Sequence, residues 1–405
     1  MSVDDRCRRY VDAVNLSADE TFDRFLPEAI SRHGQLAARG VAVKHLPPLG
    51  LRVDGRSVTV TGDGTNLELR SGTEGADVIA EMAADALSDV VQDRQSTMGL
   101  AMTSRVQITR GSLDDWIRWE PALRALIDGR PVHEPGDVVL VGSSGQPLDL
   151  GRQFRLDDDP AEMADFLTQA GFLHLTEVFE PSEMAEIEAD IDQSIASAHY
   201  ADPEYWWCTL DTGEEVAVRS LNFHERSAAA AAAIVDPRLA WLADLTGDGH
   251  QLPTSCEGLV KPLGVVNGLS DLPWHKDCGQ GLHSFMCNSL TIGISVTGAD
   301  RVTGALGVIP GSHRANTIAA FRDPELDLPS RLLETATGDV TVHCSDTLHR
   351  AYPPTANPRK VVYTSMRLAP LPHDELKPNP RYSREARGEL SSVQQRIAAA
   401  DQPAG

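Results

Sequence analysis

From Leu259 onward the apolar residues come in short runs, each cut off by Gly, Pro or polar residues, and this punctuation constrains the fold more than any other feature of the chain. The runs occupy 259–266, 289–296, 307–309, 339–343 and 360–368. Each is the length of a strand, and breakers between them forbid a long helix, so a β-sandwich or barrel is expected. The residues just before them read differently. A helix is expected over 161–170 and a short strand over 171–175. A second helix is expected over 181–194, with Met184, Ile187 and Ile191 on one face and a solvated acidic face opposite.

The first 145 residues have their own rhythm. Residues 51–61 alternate apolar and polar around Asp54-Gly55, the signal of a hairpin. Helical spacing of apolar residues predicts a helix over 76–91, and 105–109 reads as a strand. Ser112 followed by Asp115 forms a capping-box pair, so a helix is expected to start there, run through Trp116, Trp119, Leu123 and Leu126, and stop near Asp128-Gly129. Strands followed by a helix ending in Asp128-Gly129-Arg130 resemble the sterol-carrier-like fold. A small α+β scaffold that only packs against its neighbour stands equally open. The charged, apolar-poor stretch 151–160 reads as a linker. The expected organisation is therefore an α+β domain over 1–145, a linker over 146–160, a β-rich domain over 161–375, and a polar tail over 376–405 with one helix at 383–399.

Composition narrows the function classes. A chain of 405 residues with a formal net charge of −23 is a poor partner for a phosphate backbone. It contains no run of eighteen apolar residues, so no membrane span is expected. The first ten residues lack the apolar core of a secretory signal. The 6 cysteines are scattered, with no Cys-x-x-Cys pair, and read as reduced thiols of a cytoplasmic protein. A small molecule is the expected partner; nothing in the sequence speaks to oligomeric state.

The chemistry concentrates at His275-Lys276-Asp277, the one His-x-Asp in the chain. On an extended segment residues i and i+2 point to the same side, so an imidazole and a carboxylate can reach one cation. A third ligand must come from elsewhere. His343 and His349 compete for it: His343 continues the alternation of Val340 and Val342, and His349 follows the turn Ser345-Asp346-Thr347. Two histidines and one carboxylate on one face of an octahedron form the facial triad of non-haem Fe(II) oxygenases.

Four segments then agree in order with one family. They are Gly171-Phe172-Leu173-His174-Leu175 with Val178, Phe179 and Pro181; Trp274-His275-Lys276-Asp277; the stretch 303–314 containing Pro310-Gly311-Ser312-His313; and Gly338-Asp339 through His349 to Asn357-Pro358-Arg359. Over about residues 160–370 the chain resembles the phytanoyl-CoA dioxygenase family of Fe(II)/2-oxoglutarate oxygenases, with Thr303 where that family often has Asn. The resemblance implies an α+β protein whose larger domain is a double-stranded β-helix, or jelly-roll, with flanking helices.

It further implies that His275, Asp277 and His349 hold Fe(II), with 2-oxoglutarate and O2 as co-substrates. Arg359, whose spacing from His349 fits the family better than that of its rival Arg367, would pair with the distal carboxylate of the 2-oxo acid, a task suited to a planar guanidinium. Asn288 and Thr291 are candidates for the proximal end. His313 is expected to be structural, and His224 and His283 ordinary. Trp206, Trp207, Arg219, Asn222 and Lys261 are substrate candidates, with Lys261 alternatively a snorkelling surface lysine. The carboxylate of Asp277 favours hydroxylation of a small metabolite or natural-product intermediate over halogenation. Desaturation, cyclisation and epimerisation stay open, as does an inert lipid- or metabolite-binding protein.

Overall fold

Asp54 and Gly55 both adopt positive φ, at 46° and 82°, as a two-residue hairpin turn matched to strand twist requires. They join β1 (Leu49–Val53) to β2 (Arg56–Gly62). The computed structural model describes residues 14–92, 94–268, 272–277, 289–320 and 322–368, so the expected tail helix lies outside the described residues. Three more strands, β3 (Leu67–Ser71), β4 (Val78–Met82) and β5 (Val106–Arg110), complete a sheet of order β3-β2-β1-β4-β5, in which β4 runs parallel to β1. The helix Leu26–Val43 packs Ala37, Ala38 and Val41 into the core beside this sheet, together with Trp116, Trp119 and Leu126.

Two expectations in this unit need correction. The first half of the helix expected over 76–91 is β4, and only Ala84–Val91 is helical. Val78, Ile79 and Ala80 are consecutive and all buried, the mark of a strand covered on both faces rather than of an amphipathic helix. The helix expected from Ser112 does start there, with Asp115 N–H donating to Ser112 Oγ at 3.1 Å and Ser112 N–H to Asp115 Oδ2 at 3.0 Å. It then splits at Trp119 into Leu113–Arg118 and Glu120–Asp128. Pro121 lacks the N–H that would continue the ladder but is tolerated in the first turn of a new helix.

The remaining strands are β6 (Phe172–Leu175), β7 (Tyr205–Leu210), β8 (Glu215–Ser220), β9 (His250–Gln251), β10 (Glu257–Lys261), β11 (Val265–Gly268), β12 (Leu290–Ser295), β13 (Leu306–Val308), β14 (Arg331–Leu333), β15 (Val340–Cys344), β16 (His349–Ala351) and β17 (Arg359–Leu368). The large sheet has the order β11-β7-β8-β10-β17-β12-β15-β6, with β9 paired to β17, and the small one β14-β13-β16. Pairing within both is antiparallel, and residues of both contribute to one hydrophobic core, which makes this unit a jelly-roll. Helices Pro160–Ala170 and Pro181–Ala196 join the same core through Met163, Phe166, Met184, Ile187 and Ile191. Among the described residues no helix is long and apolar enough to cross a membrane.

The stretch read as a linker is packed. Phe154 is fully buried, its N–H donates to His174 O at 2.9 Å, and its carbonyl accepts from Thr176 N–H at 2.8 Å. Its ring meets Phe166 edge-on at 5.3 Å. Phe154 ties the segment to β6, and Leu148 and Leu150 pack against the same core.

Gly338, at φ 88°, turns the chain into β15, and its carbonyl accepts from Phe179 N–H at 3.0 Å. A methyl group there would run into the Phe179 carbonyl. The left-handed conformation alone costs a non-glycine residue about 1–3 kcal/mol. Gly338→Ala should therefore lower the urea midpoint of the jelly-roll transition with its slope unchanged; an unaltered midpoint would contradict this account of the turn.

Candidate metal centre

The segment 272–277 is not part of a long strand, and its position is set by backbone bonds to three places. His275 N–H donates to His349 O at 2.9 Å and His349 N–H returns a bond to His275 O at 3.0 Å. Lys276 N–H donates to Ala319 O at 2.7 Å, and Asp277 N–H to Ser345 O at 2.8 Å. The reciprocal pair brings the two imidazoles to a centroid separation of 4.2 Å. His275, Asp277 and His349 thereby offer three ligand atoms that all lie within 4.8 Å of one another.

The hydrogen bonds decide which nitrogens face inward. His275 Nδ1 lies 2.7 Å from Pro273 O and His349 Nδ1 lies 2.9 Å from Thr347 O. A carbonyl can only accept, so each Nδ1 carries the proton and each Nε2 presents its lone pair. These Nε2 atoms stand 3.5 Å and 3.4 Å from Asp277 Oδ1. Three mutually adjacent octahedral ligands are about 3 Å apart when each bond is about 2.1 Å, so the donor set fits a divalent cation with little movement.

The charges also suit a cation. Burial acts to raise the Asp277 pKa, but the neighbouring imidazoles of His349, His275 and His343 outweigh it and hold the carboxyl well below the usual carboxylate range. Burial, followed by repulsion from His349, pushes the His275 imidazole below its ordinary value. An anionic carboxylate and a neutral imidazole are the forms that bind metal.

Of the two histidines that competed for the third place, His349 joins the cluster. His343 is nevertheless buried beside it on β15. Its Nε2 lies 3.7 Å from Asp277 Oδ2, its ring is 4.2 Å from that of His349, and neither ring nitrogen has a hydrogen-bond partner among the described residues. Thr291, expected near a co-substrate, donates from Oγ1 to Asp277 Oδ2 at 2.8 Å. It occupies one carboxylate oxygen and leaves Oδ1 to the imidazoles. Asn288 and His283 lie outside the described residues.

Strand register places the remaining candidates. Lys261 pairs with Arg359, Leu259 with both Val361 and Arg219, Ser295 with Val361, and Thr291 with both Ser365 and His343. Alternation therefore puts Arg219, Lys261, Arg359, Thr291 and His343 on one face of the large sheet. The opposite face meets helix Pro181–Ala196, where Ser194 Oγ bonds Ser220 Oγ at 3.0 Å.

Arg359 is buried; Nη1 donates to Gly304 O at 2.9 Å and Nη2 to Tyr363 OH at 3.3 Å, while Nε has no partner among the described residues. Among the described residues no carboxylate pairs with it. A buried guanidinium lacking a counter-ion is costly, and a carboxylate-bearing ligand would remove that cost. Its rival Arg367 is exposed, with Nε donating to Ser365 Oγ at 3.2 Å. Lys261 is buried and donates to Tyr352 O, so it is not a surface lysine.

Arg219 stacks over Trp206 at 4.6 Å and pairs with Glu257 through Nε at 2.6 Å. Asn222 donates to Glu204 Oε2 at 2.7 Å. Trp207 is half-buried, meets Tyr200 edge-on at 5.3 Å, and its indole N–H has no hydrogen-bond partner among the described residues. His313 is bonded through Nε2 to Thr168 O at 3.0 Å, away from the cluster, and burial lowers its pKa to about 4. Sequence reading missed that His343 adjoins the ligands and that Thr291 serves Asp277; the alternation His343–Thr341 and Thr291–Gly293 on one face was the available signal.

A comparison with family models falls on the same unit. Residues 167–361 match the family model described as "Phytanoyl-CoA dioxygenase (PhyH)". No curated protein matches the chain. Among solved structures, the epimerase SnoN in complex with Fe3+, alpha ketoglutarate and nogalamycin RO is 21% identical with a TM-score of 0.42, over 52% of this chain and 85% of that one. AviO1 from Streptomyces viridochromogenes Tue57 is 20% identical with a TM-score of 0.42, over 53% and 97%. EctD from S. alaskensis with bound Fe is 20% identical with a TM-score of 0.42, over 52% and 78%.

Anaerobic titration with Fe(II), followed by calorimetry, checks the donor set. One equivalent should bind the unsubstituted protein, and His275→Ala or His349→Ala should abolish that binding. Thr291→Val should weaken it about tenfold, the usual effect of removing a partner of a ligating carboxylate. His343→Ala should keep a stoichiometry of one; loss of binding in that variant with retention in His349→Ala would reverse the assignment of the third ligand.

Proposed function

We propose, from the match of residues 167–361 to the family model described as "Phytanoyl-CoA dioxygenase (PhyH)", that the chain is an Fe(II)/2-oxoglutarate-dependent oxygenase that hydroxylates an unactivated carbon of a small molecule. The observation that carries this reading is the convergence of His275, Asp277 and His349 on one point, on the side of the sheet face that carries a buried arginine with no counter-ion among the described residues. When bound, iron with 2-oxoglutarate and O2 supplies the oxidising power for C–H cleavage, with succinate and CO2 as co-products.

The residues of this chain do the positioning. His275 and His349 hold the metal through Nε2, because Pro273 O and Thr347 O keep the protons on Nδ1. Asp277 contributes Oδ1, because Thr291 engages Oδ2. Arg359 receives the distal carboxylate of the 2-oxo acid through its open Nε edge, while Gly304 O and Tyr363 OH fix the guanidinium plane. Lys261, opposite Arg359 in register, adds positive charge at the same level of the barrel. Asp277 fills the place that a halogenating site would leave to a halide, which favours oxygen transfer to carbon.

Trp206 and Arg219, stacked on one another on the metal-facing side of the sheet, are the substrate contacts we favour. Asn222 and Trp207 flank them, Asn222 being held by Glu204. An inert binding protein would have no use for a ligand set together with a buried guanidinium that, among the described residues, meets no carboxylate.

Succinate release from 2-oxoglutarate is the direct measurement. It should require Fe(II) and fall by at least a hundredfold in His349→Ala. Arg359→Lys should raise the KM for 2-oxoglutarate by tenfold or more, because an ammonium cannot form the two parallel bonds of a guanidinium. Full turnover in His349→Ala would defeat the reading. Once a substrate is found, product mass separates hydroxylation, which adds one oxygen, from desaturation, cyclisation or epimerisation.

A further inference from the structure

The loop after Pro310-Gly311-Ser312-His313 leaves the jelly-roll and enters the other unit. Ile318 and Ala320 belong to the N-terminal hydrophobic core, each 1% exposed. Asn316 Nδ2 donates to Pro121 O at 2.9 Å and Arg130 O at 3.1 Å, and Asn316 O accepts from His133 N–H at 3.0 Å. Just beyond, Lys44 Nζ pairs with Asp323 at 2.9 Å and Glu325 at 2.8 Å, with the Lys44 and Asp323 side chains both buried. His133 Nε2 lies 2.9 Å from Asp327 Oδ1.

The other side of this loop holds the metal-ligand pair. Ala319, between the two residues sunk in the N-terminal core, accepts Lys276 N–H at 2.7 Å. Lys276 stands between His275 and Asp277, and its side chain is fully buried. Its Nζ donates to Ser312 O at 3.0 Å and Ala315 O at 3.3 Å. Three successive backbone N–H groups place the ligand pair, and the middle one is set by a loop whose own position the N-terminal unit dictates.

We propose that the N-terminal unit is a positioning element of the metal centre, acting through residues 315–320 on Lys276. The inference rests on the reading of His275, Asp277 and His349 as metal ligands. Loosening the loop on its N-terminal side leaves the donors intact but lets the His275–Asp277 segment shift, and displacements well under 1 Å degrade a ligand set. Binding and packing are linked reciprocally, so metal in turn tightens the contact between the units.

The test uses the full chain and Fe(II) under anaerobic conditions. Asn316→Ala and Ile318→Ala should each raise the Fe(II) Kd about tenfold while keeping a stoichiometry of one and an unchanged far-UV circular dichroism spectrum. Val58→Ala, which thins the same core on β2, should lower the melting temperature and leave the Kd alone. In the unsubstituted protein Fe(II) should slow amide exchange at His133, the donor to Asn316 O, and this measurement decides the matter if the loop variants fail to fold. Wild-type affinity in both folded loop variants, an equal loss in Val58→Ala, or metal-independent exchange at His133 would overturn the proposal. If the unsubstituted protein binds no Fe(II), or His349→Ala binds it as well, the metal-centre reading falls first and takes this inference with it.

Discussion

Two backbone hydrogen bonds between His275 and His349, 2.9 Å and 3.0 Å long, are the contact on which the centre depends. They join an irregular segment to the first residue of β16 and bring together side chains from distant parts of the chain. Each bond alone is a modest contribution to stability. Their value is geometric: a reciprocal pair fixes both the spacing and the relative tilt of the two residues, so the imidazoles meet at 4.2 Å. The neighbouring bonds from Lys276 to Ala319 and from Asp277 to Ser345 then leave the segment little freedom to rotate.

Around that contact the jelly-roll accepts polar burial it could have avoided. His343, Arg359, Lys261 and Lys276 are all buried, and among the described residues the ring nitrogens of His343 and Nε of Arg359 have no hydrogen-bond partner. Such groups cost free energy unless they are satisfied. His343, Arg359 and Lys261 share one sheet face, on the side of the three converging ligands, where a protein tolerates violations of its own packing rules for the sake of a site. The N-terminal core contrasts with this. There the buried Arg124 pairs with Glu120 at 2.8 Å, and Thr97 N–H donates to the same carboxylate.

Local chemistry was legible where a short stretch carries the whole cause. Asp54-Gly55 needs only its own φ preferences to turn, Ser112 and Asp115 need only each other to cap a helix, and the breakers after Leu259 limit strands whatever they pack against. The readings that failed were those in which distant residues decide. Residues 76–82 carry apolar side chains that suit a helix or a buried strand; pairing with β1 chose the strand. Phe154 lies in a stretch that looks like a linker until Phe166 and β6 are placed beside it.

The metal centre divides in the same way. His275 and Asp277 are paired by the two-residue period of an extended chain, a property of adjacent residues, and so the order of residues alone assigns them to one side. Choosing between His343 and His349 requires knowing which ring faces Asp277 Oδ1, and that follows from strand register across the barrel rather than from spacing. The dependence of Lys276 on Ala319, and of Ala319's loop on the N-terminal core, lies further still from anything local. No periodicity encodes it, because it arises only when two independently patterned units close on one another.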